Sequence, residues 1–210
     1  MATKTNRILI VDIERSCWVS SEEQGLQIPE IIQIGILEVD TSPGKVNIVP
    51  GSEVEYFVKP THSSISEFCT DLTGITQRNV KNSQMWPAVA ASILKRFGKN
   101  KAWMTWGRDD LLIKENNELY DISSPFSDDF INFGFLWTAM SGSKKNVSMK
   151  NAMEGINMEF EGRQHGALTD AQNLAKLFCA FTSWNRDMTE PSANLQATPK
   201  KPLDIKCQLM

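Results

Sequence analysis

Histidine is scarce, with 2 in 210 residues, and the 4 cysteines are scattered as Cys17, Cys69, Cys179 and Cys207 without a C-x-x-C pair. These shortages argue against a structural zinc site and point to free thiols in a reducing compartment. No apolar run approaches the ~20 residues of a membrane span, and the residues before the first strand form no apolar signal segment. The expectation is a cytoplasmic protein with no membrane partner. Basic excess is also missing. A net charge of −3 gives no global field that advertises nucleic acid, although local Lys and Arg can still grip phosphates. Internal repeats are absent at any useful period. What is present is ordinary for a globular chain, with 41% hydrophobic and 22% charged residues. That is enough for one domain over residues 1–184, followed by a Pro-, Thr-, Asn-, Gln- and Lys-rich stretch, 185–210, that reads as a flexible tail.

The first strong local signal is Ile8-Leu9-Ile10-Val11-Asp12-Ile13-Glu14. Side chains alternate faces along a strand, so Asp12 and Glu14 share one face, about 6–7 Å apart along the backbone. Two acids there repel each other and resist desolvation, and a divalent cation is the natural partner to offset that cost. A strand that has simply reached the surface is the bland alternative, because D-x-E is short and common.

A long polar connection, Arg15 to Glu30, follows and reads as a functional rim. It carries Trp18, either a stacking platform beside the acids or a tryptophan closing the core edge. Residues 30–40 form a second strand and 53–60 a third, stopped by Pro60, so short links imply an antiparallel meander. Ser66 to Gly74 reads as a short helix with an N-cap serine and a closing glycine. Apolar spacing predicts a helix from Trp86 to Phe97, an interior strand at 101–106, a helix from about Asp109 to Leu119 and a fifth strand at 130–133. Helices at 148–158 and 167–184 complete the pattern. Strand and helix alternation in the second half favours parallel strands. The expected fold is α/β, a mixed five-stranded sheet flanked by helices.

Two further groups of polar residues stand out. Trp106-Gly107-Arg108-Asp109-Asp110 sets carboxylates just past the end of an interior strand, where open α/β sheets bind ligands, although an acidic helix start explains one of them equally well. His165-Gly166-Ala167-Leu168-Thr169-Asp170 places a histidine in a glycine-flanked loop five residues before an aspartate in a helix's first turn. His62, beside Pro60 and Ser63, reads as incidental.

D-x-E on strand one, an aspartate after strand four and H-x-A-x-x-D on the last helix together resemble the DEDDh family of 3′→5′ exonucleases, which have a ribonuclease H-like fold. A narrower likeness to the Eri-type branch, with its histone-mRNA exonucleases and KapD-like bacterial relatives, is carried by four segments. These are Asp12-Ile13-Glu14 with Cys17-Trp18, Glu30-Ile31-Ile32, Phe68 to Thr76, and Phe160-Glu161-Gly162-Arg163-Gln164-His165.

The resemblance implies that Asp12, Glu14, Asp110 and Asp170 hold two Mg²⁺ or Mn²⁺ ions and that His165 is the general base. Counting four residues from Trp106 selects Asp110, with Asp109 as the competing choice. Substrate-binding positions implied by the same likeness are Ile13, Trp18, Leu72, Thr73 and Trp106; for Leu72 and Thr73, a helix end packed on the sheet is the structural alternative. Thr169 departs from the branch, which commonly has a second aspartate there. The implied activity releases nucleoside monophosphates from single-stranded RNA 3′ ends by two-metal hydrolysis. Single-stranded DNA is the alternative substrate, and a non-catalytic binding module the alternative of another class.

Overall fold

The computed structural model describes residues 6–44, 46–143 and 145–187. In chain order they form β1 (Arg7–Arg15), α1 (Ser21–Gln24), β2 (Ile31–Asp40), β3 (Asn47–Ile48), β4 (Val54–Phe57), α2 (Glu67–Thr73), α3 (Gln77–Val80), α4 (Trp86–Phe97), β5 (Trp103–Thr105), α5 (Asp109–Leu119), β6 (Phe130–Asn132), α6 (Phe133–Ser141), α7 (Met149–Gly155) and α8 (Ala167–Asp187). β1 pairs antiparallel with β2 along nearly its whole length and parallel with β5, and β6 lies parallel to β5. Both β3 and β4 pair antiparallel with β2, at different points along it. The described sheet thus has six strands, in the order β3-β2-β1-β5-β6 with β4 also on β2.

Alternation along β1 sorts its side chains into two layers. Leu9, Val11 and Ile13 pack with Ile34 and Ile36 of β2 and with Trp86, Val89 and Ile93 of α4. Ile10 points the other way, with Leu37 and Val39 of β2, against Phe133 and against Ala171, Leu174 and Ala175 of α8. Asp12 and Glu14 have the same parity as Ile10, so they sit on the α8 side, at the end of β1 where apolar packing gives way.

Most of the expected elements are present; an unexpected short helix, α3, follows α2, α7 stops at Gly155 short of the expected 158, and four further differences bear on the sheet and its connections. The sheet has six described strands instead of five, because β3 is only two residues long and leaves no periodic signal. The connection after β1 contains one turn of helix, α1, capped by Ser20. Phe133 belongs to α6 and not to the fifth strand. Asn132 accepts a hydrogen bond from the Phe135 N–H at 2.7 Å and starts a helix where an apolar run had read as strand. Finally, α8 continues through Asp187, past the expected boundary at 184. The remainder of the expected tail, 188–210, lies outside the described residues.

Candidate active site

The close approach of α8 to the sheet makes the site. Asp12 is opposite Gly35 in the β1–β2 register. A Cβ on Gly35 would overlap the backbone of Ala167 and Leu168, so only glycine lets the start of α8 lie directly on the strand. Two residues earlier on the same face, Gln33 is buried and its Oε1 accepts the Ala167 N–H at 3.0 Å. That bond satisfies one of the donors a helix leaves open at its first turn. Asp170 is thereby fixed one helical turn into α8, facing β1.

His165 is held just outside that turn. Its φ of 63° is left-handed, a conformation that L residues adopt reluctantly. Its N–H donates to Asp170 Oδ2 at 3.0 Å. Asn173 ties the loop to α8 by accepting the Glu161 N–H and donating to the Glu161 and Thr169 carbonyls. On its far side the loop is anchored by Arg163, which donates to the Asp71 carbonyl at 2.7 Å at the end of α2. The result is an imidazole that is solvent-exposed yet near two acids. Ligand atoms of Glu14, His165 and Asp170 lie within 4.8 Å of one another.

Electrostatics identify the remaining members. Asp12 is pushed well above the usual carboxylate range, first by burial, then by Asp109, Asp170 and Glu14. Burial, with Asp170 and Asp109, raises Glu14 to about 8. Burial and then its neighbour Asp110 raise Asp109 to about 7. Asp170 is raised to about 6 by burial, partly offset by the His165 N–H. Asp12 and Glu14, raised by burial and by neighbouring acids, and Asp109 and Asp170, raised chiefly by burial, want cationic charge, and no Lys or Arg ion pair reaches these four among the described residues. Asp170 Oδ1 is buried and has no hydrogen-bond partner among the described residues, which suits it to ligate a hard cation. The donor set is all oxygen plus one imidazole, which fits divalent ions of the Mg²⁺ type.

The third acid in this cluster is Asp109, which replaces the expected Asp110. Asp110 turns outward into a two-pronged pair with Arg108, at 2.8 and 2.9 Å, which holds its carboxyl below the ordinary range. The physical reason is helix phase. Asp109 opens α5 directly after the Gly107-Arg108 turn and points back to β1, and one residue later the side chain has rotated about 100° away.

Other expected positions divide. Ile13 has its side chain in the core on the opposite face of β1, so it is not brought to the acids. Thr73 is buried, and its hydroxyl donates to the Cys69 carbonyl and accepts the Ile75 N–H, a helix-end role. Leu72 beside it is 37% exposed and remains available. Trp18 is half-buried in the loop whose Cys17 carbonyl is held by Ser66 Oγ at 2.6 Å. Trp106 is half-buried and donates from Nε1 to the Val147 carbonyl. His62 is no bystander to folding. Its N–H and ring, with Thr61, Ser63 and Tyr120, surround the buried Glu30 carboxylate. Reasoning from spacing missed Gly35, Gln33 and Asn173. Gln33 and Gly35 do leave a trace, as the two interruptions in the apolar run from Ile31 to Leu37.

A mixed sheet whose central strand ends in paired acids, completed by acids and a histidine at two helix starts, defines an α/β protein of the ribonuclease H-like class with a carboxylate cluster that could hold a metal ion. The sequence matches the exonuclease family (RNase_T) over residues 18–178, and the chain belongs to that family. That match begins after β1, so the placement of Asp12 and Glu14 rests on the geometry above. The mouse ERI1 exoribonuclease 2 is 26% identical over 81% of this chain and 28% of its own length. Rat 3′-5′ exoribonuclease 1 is likewise 26% identical, over 81% of this chain and 51% of its own. The Drosophila melanogaster 3′-5′ exonuclease Snipper is 23% identical over 87% of this chain and 73% of its own. The chain therefore spans about a quarter to a half of the two mammalian relatives. Among solved structures, the nuclease domain of 3′hExo, a DEDDh family member bound to rAMP, superposes with a TM-score of 0.73 at 22% identity, covering 86% of this chain and 94% of that one. That likeness bears on the fold.

Proposed function

We propose that the chain is a 3′→5′ exonuclease acting on single-stranded RNA ends and releasing nucleoside monophosphates. Asp12, Glu14, Asp109 and Asp170 would hold two divalent ions, Mg²⁺ or Mn²⁺. When bound, such ions neutralise charge on the scissile phosphate and acidify an attacking water. His165, exposed and within reach of Glu14 and Asp170, accepts that water's proton, and histidine is the side chain suited to this exchange near neutral pH. Asp170 holds the His165 backbone, so base and metal ligand are positioned by one bond. Leu72, exposed at the end of α2, faces the terminal nucleotide.

The observation that carries this reading is the set of four carboxylates raised by burial, with Asp12 and Glu14 raised further by the other acids, and a buried Asp170 oxygen with no partner among the described residues. A pure binding module gains nothing from such repulsion. RNA is preferred over DNA because relatives over most of this chain carry exoribonuclease names, and one structural neighbour is described as recognising a histone mRNA stem-loop. Among the described residues no helix is long and apolar enough to cross a membrane. Free Cys17 and Cys69 support a reducing, cytoplasmic setting. A 5′-labelled RNA incubated with Mg²⁺, Mn²⁺ or EDTA should give a ladder shortening from the 3′ end in the metal lanes alone, with a DNA of equal sequence cut more slowly. Intact RNA in every lane would remove the enzyme reading.

A further inference from the structure

Acids at the end of β1 have one flank built by α2 and β2 and another built by β5, β6 and α6. The second flank holds a groove of about 660 Å³, within the range of small-ligand sites, lined by Trp106, Arg108, Asn132, Phe135 and Asn146. We propose that this groove is a subsite for a nucleotide upstream of the scissile one, on the single strand whose 3′ end lies at the acids. The proposal rests on the exonuclease reading and extends it to the path of the strand.

Three observations support that occupant. First, the groove lies beside one of the acids, since Gly107 lines it and a Cβ on Gly107 would lie 3.6 Å from Asp109 Oδ1. With Leu72 and the His165 loop on the α2 side, the proposed path takes the rest of the strand toward β5 and β6. Second, the lining suits a base. Phe135, in the first turn of α6, is 70% exposed and has no ring stacked on it among the described residues, leaving an aromatic face open. The floor is kept open because Gly134 has no side chain: a Cβ there would overlap the Trp106 carbonyl and ring, and the indole is pinned by its bond to Val147. Asn132 uses its Oδ1 to cap α6, and its amide nitrogen has no partner among the described residues, leaving a donor for a base edge. Third, one cationic side chain, Arg108, lines the groove, and a second, Lys145, is the sequence neighbour of a lining residue. Two nitrogens of Arg108 engage Asp110, while Nη1 has no partner among the described residues, and exposed Lys145 adjoins Asn146. Stacking faces combined with backbone-neutralising cations are how proteins hold single strands without reading sequence.

Chain length provides the test. Phe135→Ala is compared with the native protein on an RNA dinucleotide and an RNA octamer, with Phe135→Trp as the aromatic rescue. The ratio of octamer to dinucleotide kcat/KM should fall about tenfold in Phe135→Ala and recover in Phe135→Trp. An unchanged ratio overturns the subsite, as does an equal loss on both substrates. If the native protein cuts neither RNA, the exonuclease reading fails by itself. Fluorescence anisotropy of the labelled octamer then still decides the groove, because Phe135→Ala must weaken binding for the subsite to stand. Should sedimentation show a dimer that Phe135→Ala splits, the groove is a contact between copies and the proposal falls.

Discussion

Asp109 and Asp110 are adjacent in sequence and opposite in chemistry, and the difference comes from one helical step. Asp109 is raised to about 7 among other acids, whereas Asp110 is held low by Arg108. Asp109→Asn is therefore expected to reduce kcat/KM at least ~100-fold, equivalent to ~2.7 kcal/mol of transition-state stabilisation, while Asp110→Asn stays within about threefold of the native protein. Side-by-side kinetics of the two variants decide the assignment, and a larger loss in Asp110→Asn would reverse it. For His165→Ala the expectation is slowed turnover with metal affinity, measured by calorimetry, close to native, because in the proposed function the side chain moves a proton and the carboxylates supply most of the binding. Loss of metal binding in that variant would make His165 a ligand instead.

At the scale of elements, the site depends on how closely α8 lies against β2. Gly35→Ala puts a methyl group into the backbone of Ala167 and Leu168, so α8 must move or β2 must bend. Overpacking of this kind costs about 1–3 kcal/mol. Urea denaturation should show that loss together with a collapse of activity, since Asp170 and His165 ride on the displaced helix start. Native stability and activity in Gly35→Ala would mean the contact is looser than described. Gln33 and Asn173 act at the same level. Each satisfies backbone groups that α8 and its preceding loop leave open, and among the described residues neither hydrogen-bonds to the acids. Spacing alone cannot reveal such residues, because their partners lie in another element, 134 positions away for Gln33 and Ala167.

For the whole molecule, the clustered acids are expected to make stability depend on pH and, on the proposed function, on divalent metal. Carboxylates raised to about 6, 7 and 8 bind protons in the native state that ordinary carboxylates, near 4, have released in the unfolded chain. The native state then binds more protons than the unfolded one, so metal-free stability falls as pH rises from about 4 through about 8. Divalent ions, binding only the deprotonated set, should oppose that fall, adding ~2.7 kcal/mol at ~100 times their Kd and more at pH 8 than at pH 6. Melting curves with EDTA or Mg²⁺ across that pH range check both signs; a melting temperature that rises with pH in EDTA would contradict the cluster. Much of this protein was determined by local sequence. The alternation of Ile8 to Glu14, the Ser66 and Gly74 caps of α2, the helical spacing in α4 and α8, and the pairing of His165 with Asp170 all arise within a few residues, where backbone geometry dictates which side chains share a face. Only the tertiary structure decided which of two adjacent aspartates joins the site, that Thr73 serves the helix end and Ile13 the core, and that an aromatic groove opens beside Trp106. Those outcomes depend on helix phase and on contacts between elements far apart in the chain, which no local pattern encodes.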